Sequence, residues 1–205
     1  MITILIIVVT VAASFYAWQK QEIYRKWVMN PYLVKKNNEY FRFLTSGFLH
    51  ADHIHLFINM FVLYSFGRAL ENFFFIPLYG QIGALIFLLF YLAAIAISEI
   101  PTFLKHQNDS WYNSLGASGA VSAIVFAMII LNPMGKISLF FLIDLPSVVF
   151  GILFLAYSYF SSKKQSDNIN HDAHFYGAVF GILFIIIAEP STLPAFIEQI
   201  GTQLF

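Results

Sequence analysis

No cysteine occurs anywhere in the 205 residues. That absence excludes disulfides, thiolate metal sites and a cysteine nucleophile, and it removes the usual clue to redox compartment. Charge is scarce too. Only 11% of the residues are Asp, Glu, Lys or Arg, where a soluble domain carries about 25%. The two signs cancel, with eleven residues of each, so the net charge is zero. A chain without a basic excess has no electrostatic footprint for nucleic acid, and no nucleic-acid partner is expected. Apolar residues take the place of the missing charge. The chain is 59% hydrophobic and 19% aromatic, with a mean hydropathy of +0.73. That is the composition of an integral membrane protein whose surroundings are a lipid bilayer.

A helix needs about 20 apolar residues to cross the hydrocarbon core. The pattern predicts six such spans, at about 2–18, 52–72, 79–99, 116–132, 137–160 and 173–188. The expected fold class is an all-α membrane protein, a bundle of six transmembrane helices forming a single domain over 1–205. The first span lacks the basic flank of a signal peptide and is expected to stay in the mature protein. Pro146, inside the fifth span, removes a backbone donor and should kink it. The longest connection, 19–50, is rich in Tyr, Trp and Arg, which suit the headgroup layer. With six spans, the loops before the second, fourth and sixth share one membrane face. His50, Ser118 and His174 therefore converge there.

The second span opens with HADHIHLFIN, unusually polar for a lipid-facing run. His55 and Asn59 are four residues apart, on one helical face and about 6 Å apart along the axis. His53 points elsewhere, and His50 falls at the junction with the loop. The fourth span opens with LGASGAV. There Ser118 sits between Gly116, Ala117 and Gly119, at a helix start whose free N–H groups could stabilise an anion forming on a nearby carbonyl. Alone, a serine among small residues more often marks helix packing. The sixth span opens with HDAHFYGAVFG. Gly177 and Gly181 lie on the face of His174 and would let its helix press onto a partner. If that partner is the Ser118 helix, the imidazole can take the serine proton and return it to a leaving amine. Capping or interface hydrogen bonding is an equally good account of His174 by itself.

Together these pieces resemble the rhomboid family of intramembrane serine proteases. FRFLTSGFLHADHIHLFINM is similar to a family segment with an aromatic-Arg pair followed by H-x4-H-x3-N, here Phe41, Arg42, His50, His55 and Asn59. FGRALE resembles the family's G-x3-E at Gly67 and Glu71, LGASGAV its G-x-S-G, and AHFYGAVFG its A-H-x2-G-x3-G. Each motif is weak alone, but the four in order cover most of the chain. The resemblance implies Ser118 as nucleophile and His174 as general base, a dyad without a third acid. It implies an oxyanion hole from His55, Asn59 and the N–H of Ser118. His50, Arg42, Glu71, Gly116, Gly119, Gly177 and Gly181 would give structural support. It further implies hydrolysis of peptide bonds in or near the spans of transmembrane protein substrates, with no cofactor and no metal.

Several residues set further expectations. Many rhomboids carry an aromatic residue four positions after the serine, where this chain has Ser122, which would loosen the seat of His174. Glu71, with Arg68 three residues before it, reads as structural. Asp144 reads as an interfacial or helix-packed acid near the opposite face. His53, His106, His171 and Asp52 read as loop or headgroup residues. Most of the basic residues lie on the active-site face, so the positive-inside rule and the family orientation disagree. Six spans without a soluble domain suit a bacterial inner membrane. Two other readings stand beside the protease. One is a metal-dependent hydrolase, with His50, His55 and His174 around Zn²⁺ and Asp52 or Asp172 nearby. The other is a non-catalytic rhomboid-like protein that binds membrane helices.

Overall fold

The architecture was read from a computed structural model, which describes residues 1–139, 142–164, 167 and 169–204. The chain is mostly helical. Helix α1 (Ile2–Gln19) leads into α2 (Gln21–Trp27), α3 (Pro31–Asn37) and α4 (Arg42–Thr45), which make up the long first connection. Next, α5 (His53–Val62), α6 (Arg68–Leu70) and α7 (Ile76–Tyr79) form one run, joined by π-turns at Leu63–Gly67 and Glu71–Phe75. The chain reverses at Gly80, whose φ of +58° falls in the left-handed region that glycine tolerates. Helix α8 (Gly83–His106) then packs back on that run, with Phe75 against Phe87 and Phe90, each at 5.4 Å between ring centroids. Helices α9 (Ser118–Leu131), α10 (Ser147–Lys164) and α11 (His171–Ala188) complete the bundle. By length and composition, three helical runs among the described residues can cross a membrane: Ile2–Gln19, His53–His106 and His171–Ala188.

The core lies on α9. Eleven of its fourteen residues are buried, from Gly119 to Ile130, and every neighbouring long helix presses on it. Composition permits this: five of the first six residues of α9 are Ser, Gly or Ala, so other backbones approach closely. A Cβ on Gly177 would run into the Gly119 carbonyl, and one on Gly181 into the Ala123 carbonyl. The partner of the α11 glycines is therefore the backbone of α9.

Parts of the structure depart from the sequence expectations. The mostly helical fold also holds a short hairpin. Strands β1 (Lys136–Leu139) and β2 (Ile143–Pro146) pair antiparallel where the fifth span should begin. Pro146 does not kink a helix; it ends β2, and α10 starts at the next residue. The reason is steric, since proline pushes the residue before it out of the helical region. Positions 140 and 141 of the expected span lie outside the described residues. Asp144 belongs to this hairpin, exposed, and accepts a hydrogen bond from the Ser138 hydroxyl. Helix α8 outruns its expected end at 99 by seven residues. A further amphipathic helix, α12 (Thr192–Leu204), follows the last expected span and packs on α9 and α11.

Glu71 is structural, but not through Arg68. It is fully buried and accepts from the N–H of Ile2 at 2.7 Å, and from the N–H and hydroxyl of Thr3 at 3.0 and 2.6 Å. It thus satisfies the unpaired donors at the start of α1. Arg68 turns instead to the Tyr64 hydroxyl, at 2.6 Å.

Candidate functional site

Three segments hold Ser118 at the head of α9. The backbone of Ser114 exchanges two 3.0 Å hydrogen bonds with that of Met29, and the Gly116 N–H donates to the Ser46 carbonyl at 3.0 Å. The Ala117 N–H donates to His50 Nε2 at 3.4 Å. The long first connection is therefore a scaffold for the serine segment. It is itself held by buried Arg42, which donates to the carbonyls of Arg25 and Val28 at 2.9 and 2.7 Å and to Glu39 at 2.6 Å.

His50 reaches further than a brace for its own loop. Its Nδ1 lies 3.0 Å from the Ser14 hydroxyl on α1, while the Trp18 indole donates to its carbonyl at 2.8 Å. Both ring nitrogens are engaged. Burial pushes its imidazole down to about 3, with the neighbouring His55 adding to the effect. His53 points away from the site and packs on Trp18 and Phe15.

His55 and Ser118 meet across Gly116. A Cβ on Gly116 would lie 2.8 Å from His55 Cε1, 3.0 Å from His55 Nε2 and 3.8 Å from Ser118 Oγ. The φ of +126° at this residue is also one that side chains avoid. Glycine therefore satisfies both demands here, clearance for the imidazole and the backbone turn into α9. Asp52 caps α5 by accepting from the His55 N–H at 2.8 Å, a bond that holds its carboxyl below the usual carboxylate range. Asn59 donates one amide hydrogen to the His55 carbonyl at 3.0 Å, and its second has no acceptor among the described residues.

His174 lies one turn inside α11 rather than at its start. Asn170 caps that helix, accepting from the Ala173 N–H at 3.0 Å. The aromatic support missing at Ser122 comes from another helix: Phe154 of α10 lies 6.0 Å from the His174 ring, at 32° between planes. Phe126 in turn packs on Phe154, at 5.7 Å. Neither the Ser118 hydroxyl nor the His174 ring makes a hydrogen bond among the described residues.

Ser118, His174, His55 and Asn59 all line one cavity of about 720 Å³. Its walls are apolar, with Ile54, Ile58 and Val62 from α5 and Phe150 and Phe154 from α10. A second cavity, of about 500 Å³, shares His55, Leu115 and Asn170 with the first but is lined by Lys105, Asp109, Tyr112 and Asp172. The site thus has one apolar and one polar approach.

His171 is no loop residue. It opens α11, is buried, and meets Asp167 at 3.1 Å through Nε2, while Nδ1 has no partner among the described residues. That bond holds the Asp167 carboxyl below its ordinary range. His106 stacks on Tyr112 at 3.6 Å near the end of α8. The proposed zinc set does not assemble: among the described residues, no three His, Asp or Glu side chains come together as metal ligands. His50 explains why, since both its nitrogens already serve the scaffold. Asp172, the acid suggested beside it, pairs with Lys105 at 2.9 Å. Sequence reading missed Phe154, Asn170 and Glu99. Of these, Glu99 carried a signal, as an acid within an apolar run.

A family model described as a rhomboid domain matches residues 37–190. Among curated proteins, RHOMBOID-like protein 12, mitochondrial, of Arabidopsis thaliana is 31% identical over 185 residues, which cover 84% of this chain and 54% of that protein. Presenilin-associated rhomboid-like protein, mitochondrial, is 29% identical in Bos taurus and 28% in Homo sapiens, covering 69% of this chain and 36% of each. This chain thus spans about half of the first relative and about a third of the others. Their names lend no support to a bacterial inner membrane. The match from residue 37 to 190 takes in every element that builds the cavity, and the chain belongs to the rhomboid family.

Proposed function

We propose that this chain is an intramembrane serine endopeptidase that cleaves transmembrane proteins in or near their spans. Ser118 is the nucleophile and His174 the general base that carries its proton to the leaving amine. The Ser118 N–H, the free amide hydrogen of Asn59 and the His55 ring would donate to the oxyanion, each lowering the barrier by about 3 kcal/mol. Six spans fit this reading, with α9 as the short central one and α10 as the fifth. The observation that carries it is the shared cavity: a hydroxyl, an imidazole and two further donors border one space between α5 and α10. Apolar walls suit a substrate segment arriving from lipid. The polar cavity alongside suits the water that deacylation consumes.

The relatives named rhomboid-like leave catalysis to be tested directly. The full chain is placed in liposomes with a transmembrane reporter, as are Ser118→Ala and His174→Ala. Cleavage is expected to fall to background in both. Cleavage that persists in both variants sinks the serine–histidine reading, and a parent chain that does not cleave favours a helix-binding role.

A further inference from the structure

Glu99 has no part in the chemistry above. It sits on α8, two turns before the helix ends at His106, and is only 6% exposed. Among the described residues no cation pairs with it. A buried acid without a cation is costly and is kept only where hydrogen bonds compensate. Here both carboxylate oxygens are met by neutral donors. The Ser114 hydroxyl donates to Oε2 at 3.1 Å, and the Asn170 amide donates to Oε1 at 3.2 Å and Oε2 at 3.3 Å.

The two donors come from the two halves of the site. Ser114 is four residues before Ser118, in the segment paired with Met29. Asn170 caps the helix of His174: its Oδ1 accepts from the Ala173 N–H and from the Thr102 hydroxyl, at 3.0 and 3.1 Å, and its carbonyl accepts from the His174 N–H at 3.3 Å. The glycine contacts between α9 and α11 bring the helices close, but a smooth apolar contact resists sliding weakly. Directional hydrogen bonds at one end supply the missing register.

We propose that Glu99 is a positioning residue, holding the Ser118 segment and the head of the His174 helix in register through Ser114 and Asn170. This rests on the serine–histidine reading. Displacing one reacting group by about 1 Å costs on the order of 100-fold in rate, so a lock of this kind acts on turnover.

The test is a reciprocal exchange in the full chain. Asn170→Asp keeps an acceptor for the Ala173 N–H but sets a second carboxylate against Glu99. It is expected to lower kcat about 30-fold or more with KM within about twofold, as misalignment does. Combining it with Glu99→Gln lets the new amide donate to the new carboxylate and accept from Ser114. Activity should return to within about threefold of the parent, as coupled neighbours do. A plain helix cap would leave Asn170→Asp as active as the parent; a packing role would leave the double variant no better than the single. Either result overturns the proposal. Ser118→Ala runs alongside. If the parent does not exceed it, the protease reading fails, and the bracket is judged on thermal unfolding. There the double variant must regain the midpoint lost by Asn170→Asp, and failure to do so overturns it.

Discussion

Helices α10 and α11 both border the cavity, yet they are held in opposite ways. Against α9, α11 lies backbone to backbone, with Gly177 and Gly181 on the carbonyls of Gly119 and Ala123. Its head is further fixed by Asn170 and Glu99. Helix α10 rests on side chains: Phe154 on Phe126, and Gly151 facing Ile129, where a Cβ would lie 3.1 Å from a methyl, a tight contact that a side chain can relieve by shifting. Close-packed backbones hold one arrangement, whereas aromatic contacts can slide and re-form at modest cost. The proposed chemistry sits on the rigid pair, and the apolar wall of the cavity borders the looser helix.

The strongest way to break the contrast is to remove the freedom of α10. With no native cysteine, Ile58→Cys and Phe150→Cys would be the only thiols, one on each side of the cavity. Bridging them with a reducible crosslinker should cut cleavage of a transmembrane substrate by about 100-fold or more. Labelling of Ser118 by a small fluorophosphonate should continue, and reduction should restore cleavage. Cleavage that survives the bridge would mean that substrate does not enter there.

Disturbing the rigid pair comes next. Gly181→Ala drives a methyl into the Ala123 carbonyl, and a backbone cannot swing aside as a side chain can. Overpacking of this kind costs about 3 kcal/mol, read as a lower thermal midpoint in detergent, and activity should fall at least tenfold or so. Gly151→Ala on α10 is the matched control and should cost under about 1 kcal/mol.

A smaller effect is expected from Phe154→Ala, which strips the ring beside His174. Turnover should fall about tenfold, because a mis-set base is slow while binding is kept. Adding Ser122→Tyr places an aromatic on the rigid helix and should recover part of the loss. No recovery would mean that Phe154 serves the substrate rather than the imidazole.

The smallest effect concerns pH. The folded His50 ring resists protonation down to about 3, against 6.5 in the unfolded chain. The unfolded state thus binds the extra proton first, and stability must fall as pH drops below 6.5 towards 3. Thermal midpoints at pH 7.5 and 5.0 measure the slope. His50→Asn should flatten it, and an unchanged slope would assign the acid sensitivity elsewhere.

What the sequence revealed follows from the range of its signals. His55 with Asn59, and His174 with Gly177 and Gly181, could be read because helical spacing alone puts them on common faces. The β1–β2 hairpin could not, since a short apolar run suits a strand as well as a buried helix. Phe154 was hidden because its partner is twenty residues away on another helix, and no periodicity links the two. Glu99, the acid in an apolar run, was passed over because that run fades just beyond it while the helix continues to His106. Helix α12 was missed for the converse reason: an amphipathic surface helix needs no long apolar run.

The short hairpin has a mechanical consequence. It ties down the start of α10: the Ser147 hydroxyl donates to the Asn132 carbonyl at 2.6 Å, and its N–H donates to the Gly135 carbonyl at 2.7 Å. Pinned at Ser147, and tied near its far end by an exposed bond from the Lys105 ammonium to the Ser162 carbonyl at 3.1 Å, the helix would swing as a lever if that bond opened. Phe154 is about 10 Å up the arm and Lys164 about 25 Å, at 1.5 Å per residue. A tilt of about 10° would then carry Phe154 by roughly 2 Å and the far end by roughly 4 Å, for the same rise. One rotation would move the far end of α10 most and shift the ring beside His174 by about half as much.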